Sequence, residues 1–230
     1  MVDMIKYVSV ENMRISDAYT IANYVPGLEL MNRAAMGVFM AVAWSEPVAI
    51  VVGSGNNGGD GFALACILQK SGVKCTVFTV SQRVSDDSAH YAEKARELSI
   101  PISPFVPGCL AGFVIVVDCL LGTGFSGNLR SNYRDAIEEI NHSSAYTVSV
   151  DINSGMNGDT GEAALAVRSD LTVTIGYVKK GLITNCAGKF IKRLVCADIG
   201  ISLVQSEGII TENTCPPWLD MNIIHVGNGI

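Results

Sequence analysis

Short runs of apolar, mostly β-branched residues recur along the chain, and most of them end in glycine or in a polar residue. The clearest is Val48–Val52, which follows Pro47 and leads into a glycine-rich segment. Runs of this length and composition are typical of parallel strands that are buried on both faces of a sheet. The pattern predicts strands at residues 48–52, 74–80, 113–117, 146–150, 171–175 and 190–196.

Helix-like stretches lie between and before these runs. Ser9 is the predicted N-cap of a first helix, whose apolar positions Val10, Met13, Ala18 and Ile21 recur at three- and four-residue spacing. A break at residues 26–27 precedes a second helix. After the first helix, the pattern predicts helices at residues 28–43, 62–70, 86–98 and 132–141.

Strands that alternate with helices predict βαβ units with right-handed crossovers and a mostly parallel sheet that is covered on both faces. The tail from Gly208 onward lacks a clear period and is predicted to extend one edge of the sheet. The chain shows neither a linker-like Pro/Ser run nor an internal repeat. We therefore predict a single α/β domain that covers residues 1–230.

The composition agrees with a large buried core and restricts the partners. Of the 230 residues, 49% are hydrophobic and 17% are charged, which excludes intrinsic disorder as the main state. The 16 Lys+Arg and 22 Asp+Glu residues give a formal net charge of −6, which argues against binding to nucleic acid or to an anionic membrane surface. The apolar runs are shorter than the roughly 18 residues of a membrane span, and the first ten residues do not resemble a signal peptide.

The seven cysteines do not form a CxxC pair, which argues against a zinc ribbon or a thioredoxin-type motif. Their odd number and the apolar neighbours of Cys75, Cys119 and Cys196 predict buried thiols in a reducing compartment. The expected location is the cytoplasm.

The segment Gly53–Gly61 follows the first buried strand and contains five glycines among nine residues, so we predict a ligand-binding loop with positive φ angles. The helix after it would offer free N–H groups to a phosphate. A P-loop is excluded because no Lys-Ser/Thr pair closes the segment. A dinucleotide fingerprint is matched by Gly53, Gly55 and Gly58, but the acidic residue that should end the second strand is absent. A plain strand-to-helix turn is the alternative.

Two further strands are each followed by a carboxylate. Asp118 follows the strand at 113–117 and precedes the glycine-rich segment Gly122–Asn128, while Asp151 follows the strand at 146–150 and precedes Ser154. The carboxyl ends of parallel strands form one edge of the sheet, so these groups are expected to converge there. An N-cap or turn role is the alternative for Asp118, and an Asx-turn is the alternative for Asp151.

The side chains at these strand ends are all hard oxygen donors, without a His or Cys cluster, so they favour an alkali or alkaline-earth cation over zinc. Lys179 and Lys180 follow another strand. These lysines either face ligand phosphates or lie on the surface, and the sequence leaves both possibilities open.

Three motifs resemble, in order and spacing, the signatures of the YjeF N-terminal domain family, the NAD(P)H-hydrate epimerases. They are GSGNNGGDGFALA, VDCLLGTGFSG and VDINSGMNGDTG, and with their flanks the resemblance covers roughly residues 7 to 201. It implies a Rossmann-like, three-layer αβα sandwich that forms a homodimer. It also implies an isomerase that interconverts the R and S hydrates of NADH and NADPH, with a separate dehydratase completing the repair.

The resemblance also implies the site. A potassium ion is expected at Asn57, Asp118 and Ser154, and the nicotinamide dinucleotide is expected as substrate rather than as redox cofactor. We predict the pyrophosphate against the 53–61 loop and the hydrated ring between Asp118 and Asp151, with Asp151 moving the proton. The expected substrate-binding residues are Asn56, Asn57, Gly58, Gly59, Asp60, Gly122, Thr123, Gly124, Phe125, Ser126, Gly127, Asn128 and Asp151.

The segment Met31–Ala35 departs from the Met-Glu-Asn-Ala-Gly that is common in the family. Because this helix borders the family's site, a binding or scaffold domain with impaired catalysis is one alternative. An NAD(P)-dependent oxidoreductase is the other, and the missing acidic residue after the second strand disfavours it. A dehydratase domain, which many bacterial members carry, is not found in these 230 residues, so we expect either that it is encoded separately or that this sequence is a fragment.

Overall fold

The computed structural model describes residues 4–83, 85–125 and 127–227. Two 3₁₀ helices, Lys180–Ile183 and Ala187–Lys189, join the later strands. The strands and α-helices are, in chain order, β1 (Ile5–Val8), α1 (Val10–Asn23), α2 (Gly27–Ala41), β2 (Val48–Val52), α3 (Asn56–Lys70), β3 (Cys75–Thr79), α4 (Asp86–Glu97), β4 (Ile102–Pro104), β5 (Ile115–Cys119), α5 (Ser131–His142), β6 (Tyr146–Val150), β7 (Leu171–Ile175), β8 (Val178–Lys179), β9 (Leu194–Asp198), β10 (Gly208–Ile210) and β11 (Leu219–His225).

The main sheet has eight parallel strands in the order β11-β9-β7-β6-β5-β2-β3-β4. The chain proceeds from β2 to one edge and then returns to place β5 on the other side of β2, so the strand order reverses between β2 and β5. Ligands of such sheets bind in the crevice at this reversal, beyond the carboxyl ends of the strands. A second sheet is small and has three strands in the order β10-β1-β8.

Both faces of the main sheet are buried, as its near-continuous apolar strands predict. In β2, Val48, Ile50 and Val52 belong to a core cluster with α2 and α3, whereas Ala49 and Val51 belong to a second cluster with α5. Alternate residues of one strand therefore pack against helices on opposite faces. This confirms the Rossmann-like αβα sandwich with a mostly parallel sheet.

The glycine-rich segment is largely helical, so the prediction of a loop over residues 53–61 was wrong. Helix α3 begins at Asn56, and none of these glycines has a positive φ. These positions require glycine because the helix packs closely. A Cβ on Gly58 would lie 2.4 Å from the Gly53 carbonyl oxygen, and one on Gly61 would lie 2.7 Å from Val52 Cγ1. The glycines bring the first turns of α3 against β2.

Other differences lie at element ends. Strand β5 ends at Cys119, so Asp118 is part of the strand rather than following it, and β9 begins at Leu194 instead of residue 190. Strand β1 was not predicted. The tail does extend the sheet, because β11 pairs with β9 at its edge.

The cysteines are free, and Cys75, Cys119 and Cys196 are buried, as predicted. Within the described residues, no helix combines the length and the hydropathy that crossing a membrane requires.

Candidate functional site

A cavity of about 830 Å³ opens beside the carboxyl ends of β2, β5 and β6, near the reversal of strand order. Its walls are one face of α1, part of α2, the N-terminal turn of α3 and the segments 120–125 and 128–130. Asp151 and Lys179 also line it. The volume lies within the range of about 300–1,000 Å³ that is usual for small-molecule sites.

Helix α1 covers one side of the cavity and is fixed from behind by two buried hydroxyls. Ser16 Oγ accepts a hydrogen bond from the Val204 N–H (3.1 Å), and Thr20 Oγ1 accepts one from the Ser202 N–H (2.9 Å). With this face anchored, the adjacent face, which includes Asp17, lines the cavity. The α1 positions that line the cavity are 10, 13, 14, 17, 18 and 21, a single helical face.

The N-terminus of α3 forms another wall. Gly55 caps the helix without a side-chain hydrogen bond, so the first N–H groups of α3 and its positive dipole end are available to an anion. Asn56, Asn57 and Asp60 line the cavity here. Ser88 Oγ donates to the Gly55 carbonyl (2.9 Å) and fixes the turn.

Asp118 lies below the cavity and does not line it. Its carboxylate is fully buried and accepts four hydrogen bonds, from Leu120 N (3.2 Å), Ser149 Oγ (2.9 Å), Ser154 N (2.9 Å) and Ser154 Oγ. Burial raises the pKa of Asp118, and these hydrogen bonds oppose the rise. Because the Asp118 carboxylate is enclosed, direct contact with a ligand in the cavity falls to Asp151, and the position of the hydrated ring stays a prediction.

The three residues predicted to hold potassium do lie together, and the Leu121 peptide links them. Asn57 Nδ2 donates to the Leu121 carbonyl (3.0 Å), while Ser154 Oγ accepts from the Leu121 N–H (2.9 Å). Asn57 Oδ1 is buried and, among the described residues, has no hydrogen-bond partner. A buried amide oxygen without a partner is unfavourable unless a ligand satisfies it, so this corner fits a cation that prefers oxygen ligands.

No group of three or more His, Cys, Asp or Glu side chains suited to a metal occurs within residues 4–83, 85–125 and 127–227. The candidate corner is instead built from amide, carbonyl and hydroxyl oxygens around one carboxylate. Such a donor set suits a monovalent or alkaline-earth ion better than a transition metal.

Asp151 follows β6 and has a φ of 69°, in the left-handed region that non-glycine residues rarely adopt. Strained backbone of this kind is concentrated at functional sites. Its carboxylate forms an ion pair with Lys179 instead of the predicted alternative, an Asx-turn. Asp151 keeps a partly exposed edge toward the cavity, where it is expected to meet a ligand.

Lys179, for which the sequence left two roles open, does not lie on the surface. Its side chain is 1% exposed, and its ammonium also donates to Ile175 O (2.6 Å) and Thr174 Oγ1 (3.2 Å). The Lys179 ammonium therefore donates to three acceptors inside the protein. It orients the Asp151 carboxylate and balances its charge.

Two other carboxyl groups face the same cavity, and their pKa values are raised. Burial raises the pKa of Asp17 to about 6; Lys179 opposes this rise and Asp151 adds to it. Burial, followed by the charges of Asp151 and Asp17, raises the pKa of Asp60 well above its ordinary value. Perturbed carboxyls in a cavity are a common property of active sites.

The remaining predicted substrate-binding residues are divided. Segment Gly122–Phe125 and Asn128 line the cavity, whereas Gly58 and Gly59 are buried inside α3 and Gly127 lies at a neighbouring depression. Ser126 lies outside the described residues.

Sequence reasoning missed Asp17, although a signal was present. Asp17 interrupts the apolar face formed by Val10, Met13, Ala18 and Ile21, and an acid inside an apolar helix face needs an explanation.

The altered segment Met31–Ala35 affects the cavity less than its sequence suggests. Met31 and Ala34 line the cavity, but Asn32 faces an outer groove. Arg33 is bound to Glu29 (3.0 Å) and to the Ile199 carbonyl (3.3 Å). Asn32 and Arg33, which stand where the family commonly has Glu and Asn, therefore point away from the candidate site.

Comparison with known proteins places these features in a family. Residues 27–181 match the family described as YjeF-related protein N-terminus. The chain is 36% identical over 210 residues to the NAD(P)H-hydrate epimerase of Limosilactobacillus reuteri, covering 87% of this chain and 99% of that protein. It is also 36% identical over 197 residues to the bifunctional NAD(P)H-hydrate repair enzyme Nnr of Coxiella burnetii, covering 83% of this chain and 40% of that enzyme.

Among solved structures, the yeast protein YNL200c superposes with a TM-score of 0.72 at 20% identity, over 90% of this chain and 100% of the yeast chain. That likeness supports the fold. Membership of the family is shown more strongly by the family match over residues 27–181 and by the 36% identity to the Limosilactobacillus epimerase over 87% of this chain. The chain therefore belongs to the family of YjeF-related protein N-termini.

Proposed function

We propose that this protein is an isomerase that interconverts the R and S forms of NADHX and NADPHX, the hydrated and damaged forms of NADH and NADPH. The proposal rests on one observation above all. A chain 36% identical to an NAD(P)H-hydrate epimerase over 99% of that enzyme places a strained, ion-paired Asp151 in a cavity of about 830 Å³ at the sheet's carboxyl edge. Metabolite repair is the role that this reaction would serve.

The cavity suggests how the dinucleotide lies. The pyrophosphate suits the free N–H groups at the start of α3 and the backbone of the segment 122–128, since neither needs a basic patch to bind an anion. The hydrated nicotinamide ring then lies beside Asp151. Asp118 supports this site from below without touching the substrate.

The reaction inverts a carbon that carries both a hydroxyl group and the ring nitrogen. That carbon must become planar before it is rebuilt with the opposite configuration, through an iminium or a ring-opened species. A carboxylate that accepts and returns a proton provides the necessary acid–base catalysis. Asp151 is well placed for this role because Lys179 fixes its orientation and leaves it facing the cavity.

The expected potassium ligands are Asn57, Asp118 and Ser154. Because the Asp118 carboxylate already accepts four hydrogen bonds, Asn57 Oδ1, Ser154 Oγ and the Leu121 carbonyl would hold the ion, and Asp118 would balance its charge. A bound potassium ion would offset the negative charge that accumulates between β5 and α3. The unpartnered oxygen of Asn57 is the observation that supports it.

We propose that the protein works as a cytoplasmic homodimer and that a dehydratase activity converts its product to the reduced cofactor. The Coxiella relative is named a bifunctional repair enzyme, and this chain matches 40% of its length. A second activity carried by another polypeptide would complete the same repair.

A scaffold domain and a redox enzyme are the two alternatives. The orientation of Asn32 and Arg33 away from the cavity weakens the case for lost catalysis. The oxidoreductase lacks support because the segment after β3, Val80–Arg83, provides no acid for a ribose.

The deciding experiment mixes the purified protein with separated R or S NADHX and follows the ratio of the two forms by chromatography. We expect the ratio to reach equilibrium far faster than without protein, and potassium to accelerate this more than lithium. Conversion at the spontaneous rate would support the scaffold alternative. A change in the amount of reduced nicotinamide, measured by absorbance, would support the oxidoreductase.

A further inference from the structure

The cavity holds more carboxyl groups than one proton shuttle requires. Asp17 on α1, Asp60 on α3 and Asp151 after β6 all line it, and Lys179 is the buried cation among them. Lys179 is committed to Asp151. Within the part of the chain that the structure describes, neither Asp17 nor Asp60 has a hydrogen-bond partner from the protein, so both remain available to a ligand.

Asp17 reaches the cavity from a different element than Asp151. It is carried by α1, which Ser16 and Thr20 anchor to the segment 202–204, whereas Asp151 belongs to the sheet edge. A ligand in the cavity therefore meets carboxyl groups that two separate elements hold. Proton transfer by two groups is what ring opening at a carbon bonded to both oxygen and nitrogen needs.

We propose that Asp17 is a second catalytic residue, a general acid that works opposite Asp151. This inference rests on the proposed epimerase function. Asp151 accepts the proton of the C6 hydroxyl as the C6–N1 bond breaks and a C6 aldehyde forms. The bonding electron pair goes to N1, and Asp17 donates a proton to that nitrogen. Rotation about the C5–C6 bond exposes the other face of the aldehyde, N1 attacks it, and both protons return.

The charges around Asp17 agree with this role. Burial is the main reason that its pKa is raised to about 6, with Lys179 acting against the rise and Asp151 adding to it. A general acid works best when its pKa lies near the working pH. Besides Lys179, Asp151 and Asp60, the charged residues that line the cavity are Arg14, Asp87 and Arg130.

The test compares the pH dependence of kcat/KM for NADHX epimerisation in the wild type, Asp17→Asn, Asp17→Glu and Asp60→Asn. In the wild type we expect activity to fall above about pH 6 as Asp17 loses its proton. Asp17→Asn should lower kcat by about 10²–10⁴-fold and remove this alkaline fall, because an amide cannot supply the proton. Dinucleotide binding, measured by calorimetry with NADH, should change less than about threefold.

Asp17→Glu, which keeps a carboxyl group, should recover part of the rate and the alkaline fall even if the amide variant folds poorly. Asp135→Asn on α5 is the matched control, because Asp135 is exposed and outside the cavity, and it should behave as the wild type. An active Asp17→Asn with an unchanged pH profile would overturn the role of Asp17. Loss of the alkaline fall in Asp60→Asn alone would transfer the role to Asp60. An inactive wild type would instead overturn the proposed function, and with it this inference.

Discussion

Asp118 and Asp151 occupy similar positions in the sequence, each at the end of a valine-rich run, but the structure gives them opposite surroundings. Asp118 is fully buried with four hydrogen bonds from the protein. Asp151 is partly exposed to the cavity, has a left-handed backbone and forms its ion pair with Lys179. The strands β5 and β6 are neighbours, so the two carboxylates lie near each other and differ in burial and in hydrogen-bond partners.

The difference comes from where each strand ends. Asp118 is still paired in the sheet, opposite Val51 of β2 and Ser149 of β6, and neighbouring groups surround its carboxylate. The chain turns away from the sheet at Asp151, which exposes the side chain beyond the edge. A carboxylate that is saturated with hydrogen bonds stabilises the fold, whereas one that keeps an open edge is available for chemistry.

Asp151→Asn should produce the largest effect, and the loss should fall mainly on activity. Asparagine keeps the size and tolerates the left-handed backbone, but it cannot accept a proton at neutral pH. We expect kcat for epimerisation to fall by about 10²–10⁴-fold, the usual contribution of general acid–base catalysis. The free energy of unfolding should fall by a smaller amount, about 1–3 kcal/mol, because the buried Lys179 ammonium loses its counter-charge, and chemical denaturation measures that loss. A variant that unfolds would mean that Asp151 resembles Asp118 after all.

Asp118→Asn should reverse this pattern. The amide nitrogen would face hydroxyl and N–H donors that now bind a carboxylate, so buried donors would lose their partners. We expect the free energy of unfolding to fall by about 3 kcal/mol, because hydrogen bonds to a charged group contribute about 1.5–3 kcal/mol each. The residual folded protein should keep its proton chemistry but lose most of the acceleration by potassium, because Asp118 balances the charge of that ion. Denaturation by urea measures the loss, and an unchanged midpoint would contradict the structural role.

The smallest effect is expected for the stability of Asp17→Asn, and it should depend on pH. Burial raises the folded-state pKa of Asp17 to about 6, so the protein bears the cost of its charge above that pH and none below about pH 4, where Asp17 is protonated in both states. Removing the charge should raise the free energy of unfolding by about 1–2 kcal/mol at pH 8 and leave it unchanged at pH 4. Thermal unfolding at both pH values tests this, and destabilisation at pH 8 would show that the carboxylate is well solvated or paired.

The fold was predictable because its signals are local and repeated. Apolar strands of five residues alternate with helices, and each strand of the central sheet from β2 to β7, apart from the short β4, appears as such a run. Strand β1 escaped prediction because its sequence is short and mixed, and its pairing with β8 and β10 depends on distant residues. The start of α3 was misjudged because glycine disfavours helices intrinsically, while close packing on β2 outweighs that preference here.

The candidate site was only partly predictable, because local signals reveal strand ends but do not reveal contacts between distant segments. Side chains at strand ends were found because a parallel sheet brings them to one edge. The depth of Asp118 was not accessible, since it depends on Ser149 and Ser154 reaching the carboxylate. The pairing of Lys179 with Asp151 and the contribution of α1 depend on contacts between segments that are far apart in sequence.

The attachment of α1 has a consequence for how the protein is made. Its two buried hydroxyls are satisfied by the backbone at Ser202 and Val204, and β1 just before it pairs with β8 and β10. During synthesis, which proceeds from the N-terminus, the first helix leaves the ribosome long before its docking partners exist. The central sheet can form before α1 docks, but α1 can complete the cavity only after residues near 204 have emerged. A segment that is translated early is thus among the last to be placed.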